Sequence, residues 1–414
     1  MREGWVTEKL MQLGEIQTGT TPSTRNKEFY GDFIPFIKPP HFNVDGSIEY
    51  ENSGLSKKGL EKGRLIKENS ILMVCIGATI GKTGMNIIPV SCNQQINAFT
   101  PNPNLCPKFF YYLLSSSVFF DKVIRNSSQA TLPMINKTKW QNLEVSYPES
   151  IEEQKQIVAL LDKAFAAIDQ AKANIEKNIE NAKELFQSKL NDIFSQKGDG
   201  WEEKTLGKLG KVSMCKRILK KQTTPDGEIP FYKMGTFGKE PNAFISKEIY
   251  DDFRSKYSFP KKGDILLSAS GTIGRRVIYD GEPAYFQDSN IVWIDNNEEL
   301  VTNEYLYQFY GVCDFNPSKG ATISRLYNDD LRKIKISFPS IKEQKVIIPN
   351  MIELSNQTLQ IESNYKKKLT NLENLKKAIL QKAFSGALSS PKGTKYEKEV
   401  HNDSEKNKNP ERAI

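Results

Sequence analysis

Three residues stand between Gly77 and Gly81 in GATIGKTG (Gly77–Gly84), a segment that follows the apolar run ILMVCI and carries Gly-Lys-Thr. A loop that cradles a nucleotide phosphate needs four residues there, because that length lets successive backbone N–H groups curl around the β-phosphate before a helix begins. The loop is one residue short. Other catalytic chemistry is no better supplied. KPPH from Lys38 shares only its paired prolines with the Asn/Asp-Pro-Pro-aromatic motif of amino-methyltransferases, and no FxGxG-type cofactor loop precedes a helix. PDGE at Pro225 offers carboxylates of the kind nucleases use, yet no Asp/Glu-x-Lys follows within reach. Two histidines, His41 and His401, are too few to build a triad or a histidine metal site. The five cysteines (Cys75, Cys92, Cys106, Cys215, Cys313) never fall in C-x-x-C spacing and mostly sit in apolar or aromatic runs, as buried free thiols do. The chain is therefore expected to hold no catalytic residue, no metal and no cofactor of its own.

An internal duplication decides the glycine loop. GWVTEKLMQLGEI from Gly4 returns as GWEEKTLGKLGKV from Gly200, IPFIK (Ile34–Lys38) as IPFYK (Ile229–Lys233), and KFFYYLL as EYLYQFY. NLEVSYPESIEEQK likewise returns as KIKISFPSIKEQK, and the order is the same in both halves. The second copy of the loop reads SGTIGRRVI, with Arg275 for Lys82 and Arg276 for Thr83. A nucleotide site would keep its lysine and hydroxyl. What both copies keep is Thr-Ile-Gly and a cation, the mark of a recurrent turn that carries positive charge, either as structure alone or against a phosphate backbone.

Periodicity divides each copy into two parts. The first mixes short apolar strands, Gly/Pro turns and an aromatic helix; NLEVSYP and KIKISFP alternate as half-buried strands should, so an α+β fold is expected. The second is helical. From Ile151 to Ser195 there is no proline or glycine, and Ile157, Leu161, Ala164, Ile168, Ala171, Ile175, Ala182 and Leu185 recur near every 3.5 residues. The run from Ile341 repeats this with Ile347, Met351, Leu354, Thr358, Ile361, Tyr365, Leu372, Leu375 and Ile379; its one proline, Pro349, lies in the first turns. Each helix could span about 60 Å at ~1.5 Å per residue. A long single seam needs a partner, and the duplicate helix, antiparallel, is the nearest at hand. The expected divisions are a first β-rich domain at 1–149, a helix at 150–197, a second β-rich domain at 198–339, a helix at 340–388, and a disordered charged tail at 389–414.

Side chains that read bases are plentiful in the loops. The first copy offers Thr20, Thr21, Ser23 and Arg25 in a proline-punctuated loop, then Lys38, His41 and Asn43, then Gln94 and Gln95, with Lys82 in the glycine turn. The second offers Lys216, Arg217, Lys220 and Lys221, then Lys233, then Arg275 and Arg276, then Asp288 and Asn290. Asn and Gln can pair bidentately with adenine, and Arg or Lys with guanine. Scaffold segments match while polar loops differ, as in two copies of one frame that read two different sequences. The net charge of +8 favours a polyanionic partner. No apolar run approaches the ~20 residues of a membrane span, and a cytoplasmic protein is expected.

The doubled order of Trp-x7-Leu-Gly, Thr-Pro, Ile-Pro-Phe-[Ile/Tyr]-Lys, Thr-Ile-Gly-[Lys/Arg] and Glu-Gln-Lys entering a long helix resembles the specificity subunits of type I restriction-modification systems. The resemblance covers residues 1–388; only Ser70, where Gly-Asp usually precedes Ile-Leu, departs from the pattern kept at Gly263-Asp264. It implies two target recognition domains, separated by an antiparallel coiled coil, that each read half of a bipartite asymmetric site in double-stranded DNA. It implies helices that dock two methyltransferase subunits, for which Ile157, Leu161, Ile168, Ile175, Ile347, Met351, Ile361 and Leu372 are the candidate residues. Motor-nuclease subunits would join, with S-adenosylmethionine and ATP bound on those partners. The competing reading is a coiled-coil interaction protein whose duplicated domains bind protein or peptide.

Overall fold

The computed structural model describes residues 4–385 apart from 44, 52, 129–131, 197 and 316–324. The expected disordered tail, with His401, lies outside the described residues. The chain forms two compact units, one from the residues up to Asn174 together with those from Lys368, the other from Ile175 to Lys367.

In the first unit, strand Trp5–Lys9 pairs antiparallel with Glu144–Pro148. A four-stranded antiparallel sheet follows, in the spatial order Gly14–Thr18, Ile96–Pro101, Ile71–Val74, Thr83–Met85. Beside it, Phe36–Ile37 runs parallel to Ser91–Cys92. The second unit repeats this plan. Glu202–Thr205 pairs with Lys335–Phe338; the four-stranded sheet runs Gly210–Ser213, Ile291–Asn296, Ile265–Ser268, Arg276–Ile278; and Ile229–Tyr232 runs parallel to Tyr285–Phe286. The repeated Leu-Gly has a steric cause. A Cβ on Gly14 would lie 2.2 Å from the carbonyl oxygen of Thr100, and one on Gly210 2.2 Å from that of Asp295, so only glycine lets each strand begin where it does. Ser70 fills its departure from the pattern: its Oγ donates to the Lys67 carbonyl at 2.8 Å, while Asp264 Oδ2 accepts from the Lys261 N–H at 2.7 Å.

The aromatic helices Pro107–Leu114 and Asn303–Phe309 lie under these sheets, with Phe109, Phe110 and Trp140 buried in one core and Tyr305 and Leu306 in the other. The five cysteines are free, and burial pushes Cys75, Cys92, Cys215 and Cys313 up to about 12. Thiols held that far from ionisation are inert, in keeping with the reading from composition.

The long helices are Ile151–Phe194 and Ile341–Phe384, the second continuous through Pro349. In the first unit they run antiparallel: Lys172 faces Glu373 and Asp169 faces Lys376, both at 3.4 Å, so three steps back along one helix are three forward along the other. In the second unit Lys183 faces Glu362 at 3.7 Å while Leu190 and Phe194 pack with Ile348 and Met351, the same sense. Such exposed pairs contribute only ~0–1 kcal/mol each, so the apolar seam holds the helices. That seam differs in detail from the sequence expectation. It alternates steps of four and three through Gln154, Val158, Leu161, Phe165 and Ile168, and through Gln344, Ile348 and Met351. Leu185 is 57% exposed, Ile361 41% and Leu375 48%, so these three are corrected out of it. A 3.6-residue helix drifts against a 3.5-residue template, and over so many turns neighbouring apolar positions cannot be told apart.

The Glu-Gln-Lys motif at the start of each helix is a clamp. Gln154 is fully buried; its Oε1 accepts from the Cys106 N–H at 2.9 Å and its Nε2 donates to the Pro148 carbonyl at 2.9 Å. Gln344, equally buried, accepts from the Thr302 N–H at 2.9 Å and donates to the Leu300 and Pro339 carbonyls at 2.8 and 2.9 Å. Each glutamine thus ties the end of the last strand to the cap of the aromatic helix. Gln154→Leu keeps the volume but strands a buried N–H and a buried C=O, and is expected to lower the unit's stability by about 2–4 kcal/mol in a urea titration of the full chain.

Candidate nucleic-acid interface

The glycine turn is the hairpin between Ile71–Val74 and Thr83–Met85, so a strand and not a helix follows it. The Gly81 N–H is spent on the Val74 carbonyl at 2.8 Å, and no helix N-terminus is present to hold a phosphate. Gly81 has φ +87° and a Cβ there would strike the Phe120 ring at 2.4 Å; Gly274 has φ +81° and would strike Phe315 at 2.5 Å. The following cation is a strap in both copies. Lys82 Nζ donates to the Phe42 carbonyl at 3.3 Å, and Arg275 Nη1 to the corresponding Phe237 carbonyl at 2.9 Å. Arg276 packs over the Tyr307 ring at 4.4 Å.

The residues that converge do so at the downstream ends of the parallel strand pair. In the first unit the Asn93 N–H bonds the Ile37 carbonyl and the Thr20 N–H bonds the Cys92 carbonyl, at 3.0 and 2.9 Å. This lays Lys38, Thr20–Thr21 and Gln94–Gln95 side by side. Thr21 Oγ1 donates to Gln94 Oε1 at 2.5 Å and Asn93 Nδ2 to Gln95 Oε1 at 2.9 Å, which orients both amides. His41 instead closes the Lys38-Pro-Pro turn, its Nδ1 accepting the Lys38 N–H at 3.2 Å, and burial lowers its pKa. Asn43 is tied to Ser47 at 2.9 Å. Ser23 and Arg25 are exposed on the loop before Tyr30.

In the second unit the same place is a cleft of about 250 Å³ lined by Arg217, Lys220, Thr223, Lys233, Gln287, Asp288 and Asn290. Arg217 Nε contacts Asp288 Oδ2 at 2.8 Å, Ser270 Oγ donates to Asn290 Oδ1 at 2.8 Å, and Gln287 Oε1 accepts from the Met234 N–H at 3.1 Å. Lys38 and Lys233 correspond: each ammonium lies over the phenylalanine two residues before it, Phe36 at 5.4 Å and Phe231 at 5.8 Å. Lys216 sits apart, over Tyr257 at 5.0 Å, and Lys221 is exposed outside the cleft lining. Thr223 was not among the sequence candidates, although Thr-Thr-Pro recurs at Thr20 and Thr223 and could have marked it. Arg64, whose Nη1 donates to the Thr18 carbonyl at 2.6 Å, carries no such mark.

The helix residues expected to meet partners are mostly occupied at home. Leu161, Ile168 and Met351 are buried in the cores of their own units, and Ile157, Ile347 and Leu372 pack against those cores, so these side chains hold the helices to the β-rich parts of their units. Ile175 is half-buried and Ile361 faces solvent. Among the described residues no group of acidic, cysteine or histidine side chains could hold a metal ion, and no helix is long and apolar enough to cross a membrane.

Two copies of one frame, each presenting a lysine and a different set of hydrogen-bonding side chains at the same strand ends, define a duplicated recognition module. Residues 2–181 and 198–371 each match the family described as type I restriction modification DNA specificity domain, and the chain belongs to that family. A Haemophilus influenzae protein named as a type I restriction enzyme specificity subunit, S.HindORF215P, is 44% identical over 62% of this chain and 66% of its own length. The type I restriction enzyme MjaIX specificity subunit of Methanocaldococcus jannaschii is 24% identical over 93% of both. The fold is that of a chain in a solved type I R-M system (TM-score 0.73, 17% identity, covering 94% of this chain and 99% of that one). It also matches the HsdS subunit from Thermoanaerobacter tengcongensis (TM-score 0.54, 17% identity, 94% and 98%).

Proposed function

We propose that this chain is a non-catalytic specificity subunit whose two units each read one half of a bipartite asymmetric DNA site. The observation that carries this is the pair of corresponding strand-end sites, Lys38 with Thr20–Thr21 and Gln94–Gln95 in one unit, and Lys233 with Arg217, Asp288 and Asn290 in the other. In each, the lysine supplies a phosphate contact and the differing amides, carboxylate and guanidinium read base edges. An Asp288-oriented Arg217 suits guanine O6 and N7, and the Asp288 carboxylate can accept from cytosine N4. The long helices, on faces not used by their own cores, dock two methyltransferase subunits that carry S-adenosylmethionine, and motor-nuclease subunits that use ATP complete the complex in the cytoplasm.

Co-expression of the chain with its methyltransferase partner, followed by mapping of N6-methyladenine in host DNA, tests this directly. A split motif with two defined halves and a fixed gap is expected. Methylation in one uninterrupted motif, or none from an assembled and cofactor-competent complex, would overturn it.

A further inference from the structure

Successive side chains of a strand face opposite sides of the sheet. In the second unit, Phe231 and Lys233 face the cleft described above, while Pro230 and Tyr232 face a separate cavity of about 390 Å³. Its walls are aromatic: Tyr232 and Phe286 stack at 5.8 Å with 16° between their planes, and Phe237 and Tyr279 close the sides. Its rim carries Glu240, Asp280 and Glu282 against Lys239, with the stem of Lys262 lying along Gly281 nearby. The corresponding positions of the first unit are filled differently. There Ile37 and Cys92 replace Tyr232 and Phe286, Asn86 and Ile87 replace Tyr279 and Asp280, and the space is taken by Ile48 and Tyr50. Tyr50 Oη accepts the Ile87 N–H at 3.0 Å, and Phe42 bridges to Ile48. The segment that supplies this plug is shortened in the second unit: Ile34 and Leu55 are paired 21 positions apart, their counterparts Ile229 and Ile245 only 16. The second unit thus lacks the internal plug of the first and lines the equivalent seat with rings and carboxylates.

We propose that this seat binds a basic side chain, arginine or lysine, presented by a partner polypeptide. Ring faces and carboxylates both attract a cation, and the rim's excess of negative charge repels a nucleic-acid backbone. The same field shows in Tyr232, whose hydroxyl is held above its usual pKa by burial and then by Glu240 and Asp280. The site lies off the DNA-reading cleft, so its failure would leave that assignment untouched.

The test uses the full chain labelled at Ala, Ile and Val methyls, among which Ala284, Ile278 and Val277 line the seat. Titration with the blocked tripeptide acetyl-Gly-Arg-Gly-amide is expected to shift these three signals saturably, with the citrulline analogue weaker by about tenfold or more. The double variant Glu240→Gln/Asp280→Asn, altered only at exposed carboxylates, is expected to lose about fivefold or more in affinity for the arginine peptide. Binding of the citrulline peptide or of 2′-deoxyadenosine as tight as the arginine peptide, an unchanged affinity in the double variant, or no saturable shift would each overturn the proposal.

Discussion

A fragment of residues 1–197 is expected to run as a homodimer in light scattering at micromolar concentration. In the full chain the end of each long helix completes a unit built from the other half of the sequence. Phe384 packs edge-on against Phe109 at 5.4 Å in the first unit, with Ala383 buried beside it. Phe194 packs in the same manner on Tyr305 at 5.0 Å and Phe309 at 5.4 Å in the second, with Leu190 fully buried. Phe109 and Tyr305 are corresponding residues of the duplicated aromatic helix. The fragment keeps the seat around Phe109, emptied of Phe384, and keeps Leu190, Ile193 and Phe194, deprived of Tyr305. A second copy satisfies both needs at once, with a two-fold relation and no new contact type. Each of these side chains contributes about 1.5–3 kcal/mol when buried, enough together to hold a dimer. Phe194→Asp in the fragment should abolish dimerisation. A folded monomer of the unaltered fragment would show that the helix ends do not complete the units.

Lys38→Ala and Lys233→Ala are expected to weaken DNA binding by the assembled complex roughly tenfold each at moderate salt, through loss of one phosphate contact apiece. The sign of the salt effect separates this from base reading. Each variant should flatten the dependence of log K on log salt by about 1 and leave the ranking of sequences unchanged. Gln94→Ala or Asn290→Ala should instead relax one base position, at about 1–3 kcal/mol of lost discrimination, within one half-site only. Equal loss of affinity across all half-site variants in the glutamine or asparagine change would sink the base-reading role. An unaltered salt slope in both lysine variants would place those ammonium groups away from the backbone.

The duplication, the α+β character of the repeated unit and the two long helices were all legible in the amino-acid sequence. Each depends on pattern along the chain: recurrence of a segment, alternation, or a sustained heptad without breakers. The glycine loop was also settled there, because its copy at Gly274 discards the lysine and hydroxyl a nucleotide would need. What the loop does instead required the fold, since the carbonyls that receive Lys82 and Arg275 come from Phe42 and Phe237, tens of residues away. The Glu-Gln-Lys motif was visible as a repeat, but its purpose was not, because Cys106 and Thr302 reach Gln154 and Gln344 only after the helix folds back on the sheet. The choice of seam residue likewise fell to packing, with Ile348 buried where periodicity favoured Ile347. Polar loop residues carry no period at all. Which of them share a cleft was decided by two parallel strands whose ends bring together segments some fifty residues apart, at Lys233 and Asp288, and only that long-range closure separated Lys220 and Asn290 from Lys216 and Arg276.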